Sequence, residues 1–212
     1  MPPLIHVRLA TIAVVALALT LAAQTQPQVQ PKTAPNAKPA APRSEDSQLY
    51  RNTTFGFRYQ IPYGWVDRTQ EMGSPDAGSE QGKGEVLLAI FERPPQAAGD
   101  TVNCAVVIAS ESAASYPGLR TAADYIGPLT ELTASKGFKA EGDATAFEID
   151  SRQLVRADFV KPLNEKLNMY QSTLVLLRKQ QIVSFTFVAG SEAEVDDLVD
   201  ALHFSAAKPS AH

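Results

Sequence analysis

Glu192, Asp196, Asp197 and Asp200 form an acidic row near the end of the chain. Such a row could hold a divalent cation. Calcium sites, however, draw their oxygens from a loop that wraps the ion. These four residues fall at helical spacing, where Glu192 and Glu194 suit the positive N-terminal end, so the row reads as a solvated helix face. The chain has three histidines, His6, His203 and His212. His203 stands without a cysteine or second histidine at ligand spacing, which leaves no basis for a zinc site. There is no Gly-x-Ser-x-Gly elbow, although a Ser-His-Asp assembly around His203 is a matter of geometry that spacing does not decide.

Cys104 is the single cysteine. One cysteine forms no internal disulfide, and within the apolar run Val102–Ile108 it reads as a small buried hydrophobe of low reactivity. Arg152, Arg156, Lys161, Lys166, Arg178 and Lys179 spread over two predicted hairpins. Arg152 and Arg156 share a strand face with Asp158. That pattern gives surface ion pairs or, in the sharper reading, a patch for an anionic partner. No catalytic, metal or cofactor set emerges, so the sequence predicts no enzyme and no cofactor.

Composition excludes further classes. The net charge is −4 over 212 residues and the pI is about 5.4. That gives no basic field to recruit nucleic acid or an anionic membrane. Residues 1–23 read as a cleaved signal peptide: Arg8 precedes the apolar run Leu9–Ala23, which ends in small residues. The run is short for a hydrocarbon core of ~30 Å, so no stable span is expected after cleavage. Residues 24–48 are a linker. Pro27, Pro31, Pro35, Pro39 and Pro42 recur among Gln, Ala, Lys and Thr, and such a segment buries too little to offset its ordering entropy. The predicted address is therefore periplasmic or secreted.

The folded part is expected over 49–206, with a frayed tail at 207–212. It opens on Tyr50–Trp65. Phe55, Phe57, Tyr59 and Ile61 alternate with smaller or polar residues, which puts them on one face of a strand. Asn52-Thr53-Thr54 offers turn-closing oxygens, so Leu49–Arg51 can fold back on that strand. Pro62 ends it, and Gly64 lets Trp65 swing back over the apolar face. Phe57, Tyr59, Pro62 and Trp65 are candidate interaction or structural positions beside Arg152 and Arg156. A ligand-stacking role for Phe57 and Trp65 competes with a core role. Aromatic side chains dominate buried area, which favours the core.

Val66–Glu85 reads as a loop of about twenty residues, either disordered or a binding lid. Val86–Phe91 and Val102–Ala109 are apolar on both alternate faces and so predict covered strands. Thr121–Lys136 predicts a helix with a capping box at Thr121 and Asp124, a break at Gly127-Pro128 and a stop at Gly137. Phe138–Lys139 or Ala144–Ile149, then Gln153–Val160, Met169–Leu177 and Ile182–Val188, predict an antiparallel meander. Ser191–Phe204 predicts a closing helix capped by Ser191 and Glu194.

The run Phe55-Gly-Phe-Arg-Tyr-Gln-Ile-Pro-Tyr-Gly-Trp65, followed by strands, helix, meander and terminal helix, resembles the PsbP/Mog1-like superfamily over about Tyr50–Ala206. The resemblance implies an α+β fold: a largely antiparallel sheet with helices packed on both faces. It also implies protein–protein roles, although only fold-marking positions match, so no binding residue carries over. The sequence thus predicts an exported, non-catalytic interaction or accessory domain whose partner is another envelope protein. The alternative is a small-molecule or lipid binder using a sheet–helix pocket rimmed by the 66–85 loop.

Overall fold

The computed structural model describes residues 49–74, 84–94 and 99–205. The signal peptide, the linker and the tail expected at 1–23, 24–48 and 207–212 lie outside the described residues. The chain forms β1 (Leu49–Asn52), β2 (Phe57–Gln60), β3 (Val66–Asp67), α1 (Thr69–Gly73), β4 (Gly84–Phe91) and β5 (Ala105–Ser112). Then come α2 (Ile126–Ser135), β6 (Lys139–Ala140), β7 (Thr145–Ile149), β8 (Arg152–Pro162), β9 (Asn168–Arg178) and β10 (Gln181–Ala189). It closes with α3 (Glu192–Asp200) and β11 (Leu202–Phe204). Two sheets result: a three-stranded one ordered β1-β2-β11, and an eight-stranded one ordered β3-β4-β5-β10-β9-β8-β6, with β7 also paired to β8. The pairings are antiparallel, as consecutive strands joined by short turns require. The fold is α+β.

The pleat of β10 sorts the core. Val183, Phe185, Phe187 and Ala189 join a cluster with Phe57 and Tyr59 of β2, Val195, Leu198 and Val199 of α3, and Leu202 and Phe204 of β11. Ile182, one position out of phase, joins a second cluster with Tyr125, Leu129 of α2, Phe159 and Val175. Ala89, Phe91 and Ala105 make a third, against which Met72 of α1 packs. A period of two places Ile182 and Val183 on opposite faces of the large sheet. A bulge in β4 between Val86 and Leu88 breaks the alternation, and Leu87 and Leu88 both join the first cluster.

Four expectations change. The closing helix stops at Asp200, and Leu202–Phe204 is a strand paired to β2. Three residues with apolar ends fit either period, and the open backbone of β2 decides between them. The first helix begins later. A 3-10 turn at Ala123–Tyr125 leads into α2 at Ile126. Pro128 then sits in the first helical turn, where its missing N–H costs nothing and no internal break is needed. The capping box does form: the Thr121 amide and hydroxyl donate to Asp124 Oδ2 at 2.8 and 3.0 Å. Hydrogen bonds from the Arg120 and Thr121 amides hold the Asp124 carboxyl below the usual range. Gly137, at φ +86°, follows the helix as its stop.

The expected Val66–Glu85 loop contains β3 and α1. The Arg68 amide donates to the Ala89 carbonyl at 2.8 Å, and Thr69 Oγ1 accepts from the Ala89 amide at 2.9 Å. Segments of two and five residues are too short to show a period. Residues 75–83 of that loop lie outside the described residues. Cys104 precedes β5 and is only half-buried, because the strand begins one residue later.

The turn Lys179-Gln180 joins β9 to β10 with φ of +53° and +61°. Two left-handed residues suit the right-handed twist of a hairpin, but side chains bear a steric cost there. Gln180→Gly is expected to stabilise the fold by about 1 kcal/mol. Urea unfolding checks it: the midpoint should rise at unchanged slope, and an unchanged midpoint would mean the turn carries no strain.

Candidate functional site

The Tyr50–Trp65 stretch divides into core and surface. Phe57 is 2% exposed and meets Phe185 edge-on with centroids 5.0 Å apart. Tyr59 is fully buried, and its hydroxyl donates to the Leu198 carbonyl of α3 at 3.1 Å. Burial pushes the Tyr59 phenol well up. Neither ring is open to a ligand. Pro62 follows the end of β2, and its carbonyl accepts from the Trp65 amide at 3.3 Å, closing a tight turn with Gly64 at φ +84°. Trp65 is half-buried against the main cluster. Tyr63, on the outer corner of that turn, is 81% exposed. Tyr63 is not among the residues that the sequence marks. The available signal was its place between Pro62 and Gly64, since the second residue of a tight turn points away from the body.

The basic residues of the two hairpins do not assemble into one patch. Arg156 is half-buried: its Nε donates to Asp158 Oδ1 at 2.9 Å, and its terminal nitrogen reaches Asp196 of α3 at 2.8 Å. Its guanidinium lies 5.4 Å from the Phe147 ring centroid. Burial alone would lower this group, but bonds to Asp158 and Asp196 offset that and hold it above its usual value. Arg152 stacks over Phe204 at 5.9 Å, so it serves packing. Lys161 donates to the Lys136 carbonyl at 2.8 Å and Lys179 to the Thr54 carbonyl at 3.2 Å. Arg178 donates to the Phe55 carbonyl.

Around Arg156 lies an open cavity of about 300 Å³ whose lining includes Glu141, Tyr170, Gln171, Glu192 and Asp196. Its cation is already matched by Asp158 and Asp196, so it has the chemistry of a structural clamp. A second depression of about 370 Å³ is floored by Leu87 and Leu88 and rimmed by Asp67–Glu71 and Tyr50. Its lining residues Asp67–Glu71 fall within the 66–85 segment.

Among the described residues, no three His, Cys, Asp or Glu side chains converge to hold a metal ion. His203 Nδ1 is 3.5 Å from Asp150 Oδ2, which also accepts from the Phe204 amide at 2.9 Å. Asp150 thereby caps β11. The Cys104 thiol is pushed up to about 11 by burial first, then by the charges of Glu92 and Glu194. It stays protonated at neutral pH and is a poor nucleophile. Glu111 accepts from the Tyr116 hydroxyl at 2.6 Å and from Tyr125, tying the segment before α2 to β5. Burial, followed by Glu111, pushes the Tyr125 phenol up.

No family model matches the chain, and no curated protein matches it in sequence. It is similar to the solution structure of cyanobacterial PsbP (CyanoP) from Synechocystis, with TM-score 0.47 and 18% identity, covering 74% of this chain and 92% of that one. It is similar to the Saccharomyces cerevisiae Ran-binding protein Mog1p, with TM-score 0.42 and 10% identity, covering 74% and 94%. It is also similar to LpqN, involved in cell envelope biogenesis of Mycobacterium tuberculosis, with TM-score 0.38 and 12% identity, covering 74% and 89%. At such identities and scores none of the three carries a residue role to this chain. No helix among the described residues is long and apolar enough to cross a membrane.

Arg156→Ala is expected to lower stability by about 1–2 kcal/mol, because it strips Asp158 of its partner and releases α3. A double-mutant cycle with Asp196→Ala checks the clamp. Coupling of about 0.5–1 kcal/mol is expected, the Asp196 side being screened by solvent. Zero coupling would leave α3 held by its apolar stripe and the Tyr59–Leu198 hydrogen bond.

Proposed function

We propose that the chain is an exported, non-catalytic interaction or accessory domain that docks another envelope protein. The export half rests on the leader-like residues 1–23 and the Pro/Ala/Gln-rich 24–48. The docking half rests on Tyr63: a large aromatic ring, 81% exposed, on a turn closed by the Trp65–Pro62 hydrogen bond. Rigid, outward aromatic anchors lose little entropy on binding and are enriched among the residues that dominate interfaces. Pro62 and Trp65 belong to this reading as the frame of the anchor, while Phe57 and Tyr59 secure it to the core. In the same reading α2 and α3 cover opposite faces of the large sheet, leaving loops and turns as the contact surface.

Photo-crosslinking in the native envelope tests the proposal. A photoreactive phenylalanine at position 63 should give one discrete protein adduct. The same group at exposed Glu131 should not, and Gly64→Val, which disturbs the turn, should weaken the adduct. Identical adducts at both positions, or none at 63, would overturn the docking role.

A second reading is favoured by the depression floored by Leu87 and Leu88 and rimmed by Asp67–Glu71. Its apolar floor and polar rim suit a small amphiphile or a lipid. Lipid extracted from the host envelope should then raise the melting temperature, and Gln70→Trp at the rim should abolish the rise. No rise with any lipid fraction would count against this reading.

A further inference from the structure

The outer face of the three-stranded sheet carries a row that the other sites do not use. Arg51 of β1 stands directly opposite Arg58 of β2, and Arg58 stands opposite His203 of β11. Tyr50, Phe57, Tyr59, Leu202 and Phe204 are turned to the core, so alternation puts these three basic side chains on the other face. Both arginines are exposed and His203 is half-exposed.

Like charges directly opposite on neighbouring strands are destabilising. Five of the six other arginines among the described residues are engaged within the fold: Arg152 stacks over Phe204 and Arg178 donates to the Phe55 carbonyl. Arg156 is forked between two carboxylates, Arg68 pairs with Glu71 and Arg93 with Glu92. Among the described residues neither Arg51 nor Arg58 has an ion-pair partner, and His203 touches only Asp150 at the far end of the row. Two guanidinium-bearing residues at directly opposed strand positions, with an imidazole-bearing one at the next, supply the donors and positive charge that a phosphate dianion takes.

We infer that Arg51, Arg58 and His203 form a site for the phosphate group of a small soluble phosphomonoester. The scale of the ligand follows from the surroundings. The chain as a whole carries −4, so an extended polyanion or an anionic bilayer pressed on this face would meet repulsion from the rest of the body. Exposed large apolar residues among those described are confined to Tyr63 and Leu163, and neither belongs to this face. A bilayer therefore finds no side chain to insert. A single phosphate group neutralises the row without either penalty.

The test is a titration of the isotope-labelled full chain with inorganic phosphate at constant ionic strength. The side-chain N–H signals of Arg51 and Arg58 are followed, with exposed Arg120 as the reference. Saturable shifts at Arg51 and Arg58 but not at Arg120 are expected. Arg58→Gln, which keeps the strand and is checked by its amide spectrum, should weaken binding about tenfold. Equal shifts at Arg120, a response matched by chloride, or unchanged affinity in Arg58→Gln would overturn the inference. So would binding to phosphatidic-acid vesicles with no saturable response to inorganic phosphate, which would assign the row to a membrane surface.

Discussion

The attachment of β2 to the large sheet is the interaction on which the remainder depends. Phe57 and Tyr59 project from a strand of four residues, too short to hold itself in place. They lie against Phe185 and Phe187 because β1 flanks β2 on one side and β11 on the other. The hydroxyl of Tyr59 then fixes α3 through Leu198. Removing either flank would expose the aromatic inner face. Two aromatic side chains thus join three separate pieces of chain into one layer, and the tight turn carrying Tyr63 is anchored through them.

A division of labour among charges follows from the same layering. Groups between layers are matched internally: Arg156 with Asp158 and Asp196, and Glu111 with two tyrosines. The Arg156–Asp196 and Glu111 bonds tie a helix or its leading segment to a strand, and burial raises the cost of leaving any member alone. Groups on the outer face of the small sheet have no such duty. The contrast separates clamps from surfaces more reliably than charge count does, since both kinds of arginine look alike as letters.

The sheet was largely legible in the sequence. The runs around Leu88–Ile90 and Val106–Ile108 were readable from their length and continuous apolar character, while the alternation from Phe55 to Ile61 carries a period of two. The antiparallel meander from Thr145 to Ala189 was visible for the same reason. The misses share a cause. Val66–Asp67, Thr69–Gly73 and Leu202–Phe204 span no more than one and a half repeats of their own pattern, too few to establish a period, and tertiary pairing set their state. The turn at Lys179-Gln180 lacks the glycine or asparagine that marks left-handed backbone. Its conformation is held by contacts to Thr54 and Phe55, more than a hundred residues away, which no local reading supplies. At the candidate site, Pro62 and Trp65 were visible as punctuation, whereas Tyr63 became notable only once its exposure was known. The row of Arg51, Arg58 and His203 exists only through the register of three strands, two of them drawn from opposite ends of the domain.

That last pairing has a kinetic consequence. The strand that completes the small sheet begins at Leu202, while its partner begins at Phe57. Their contact closes a loop spanning most of the domain, and such closures come late because chain entropy opposes them until other contacts are made. During synthesis, the aromatic face of β2 therefore waits for nearly the whole domain to be made before its last neighbour arrives. A nascent chain of this kind stays open and threadable until its final segment emerges.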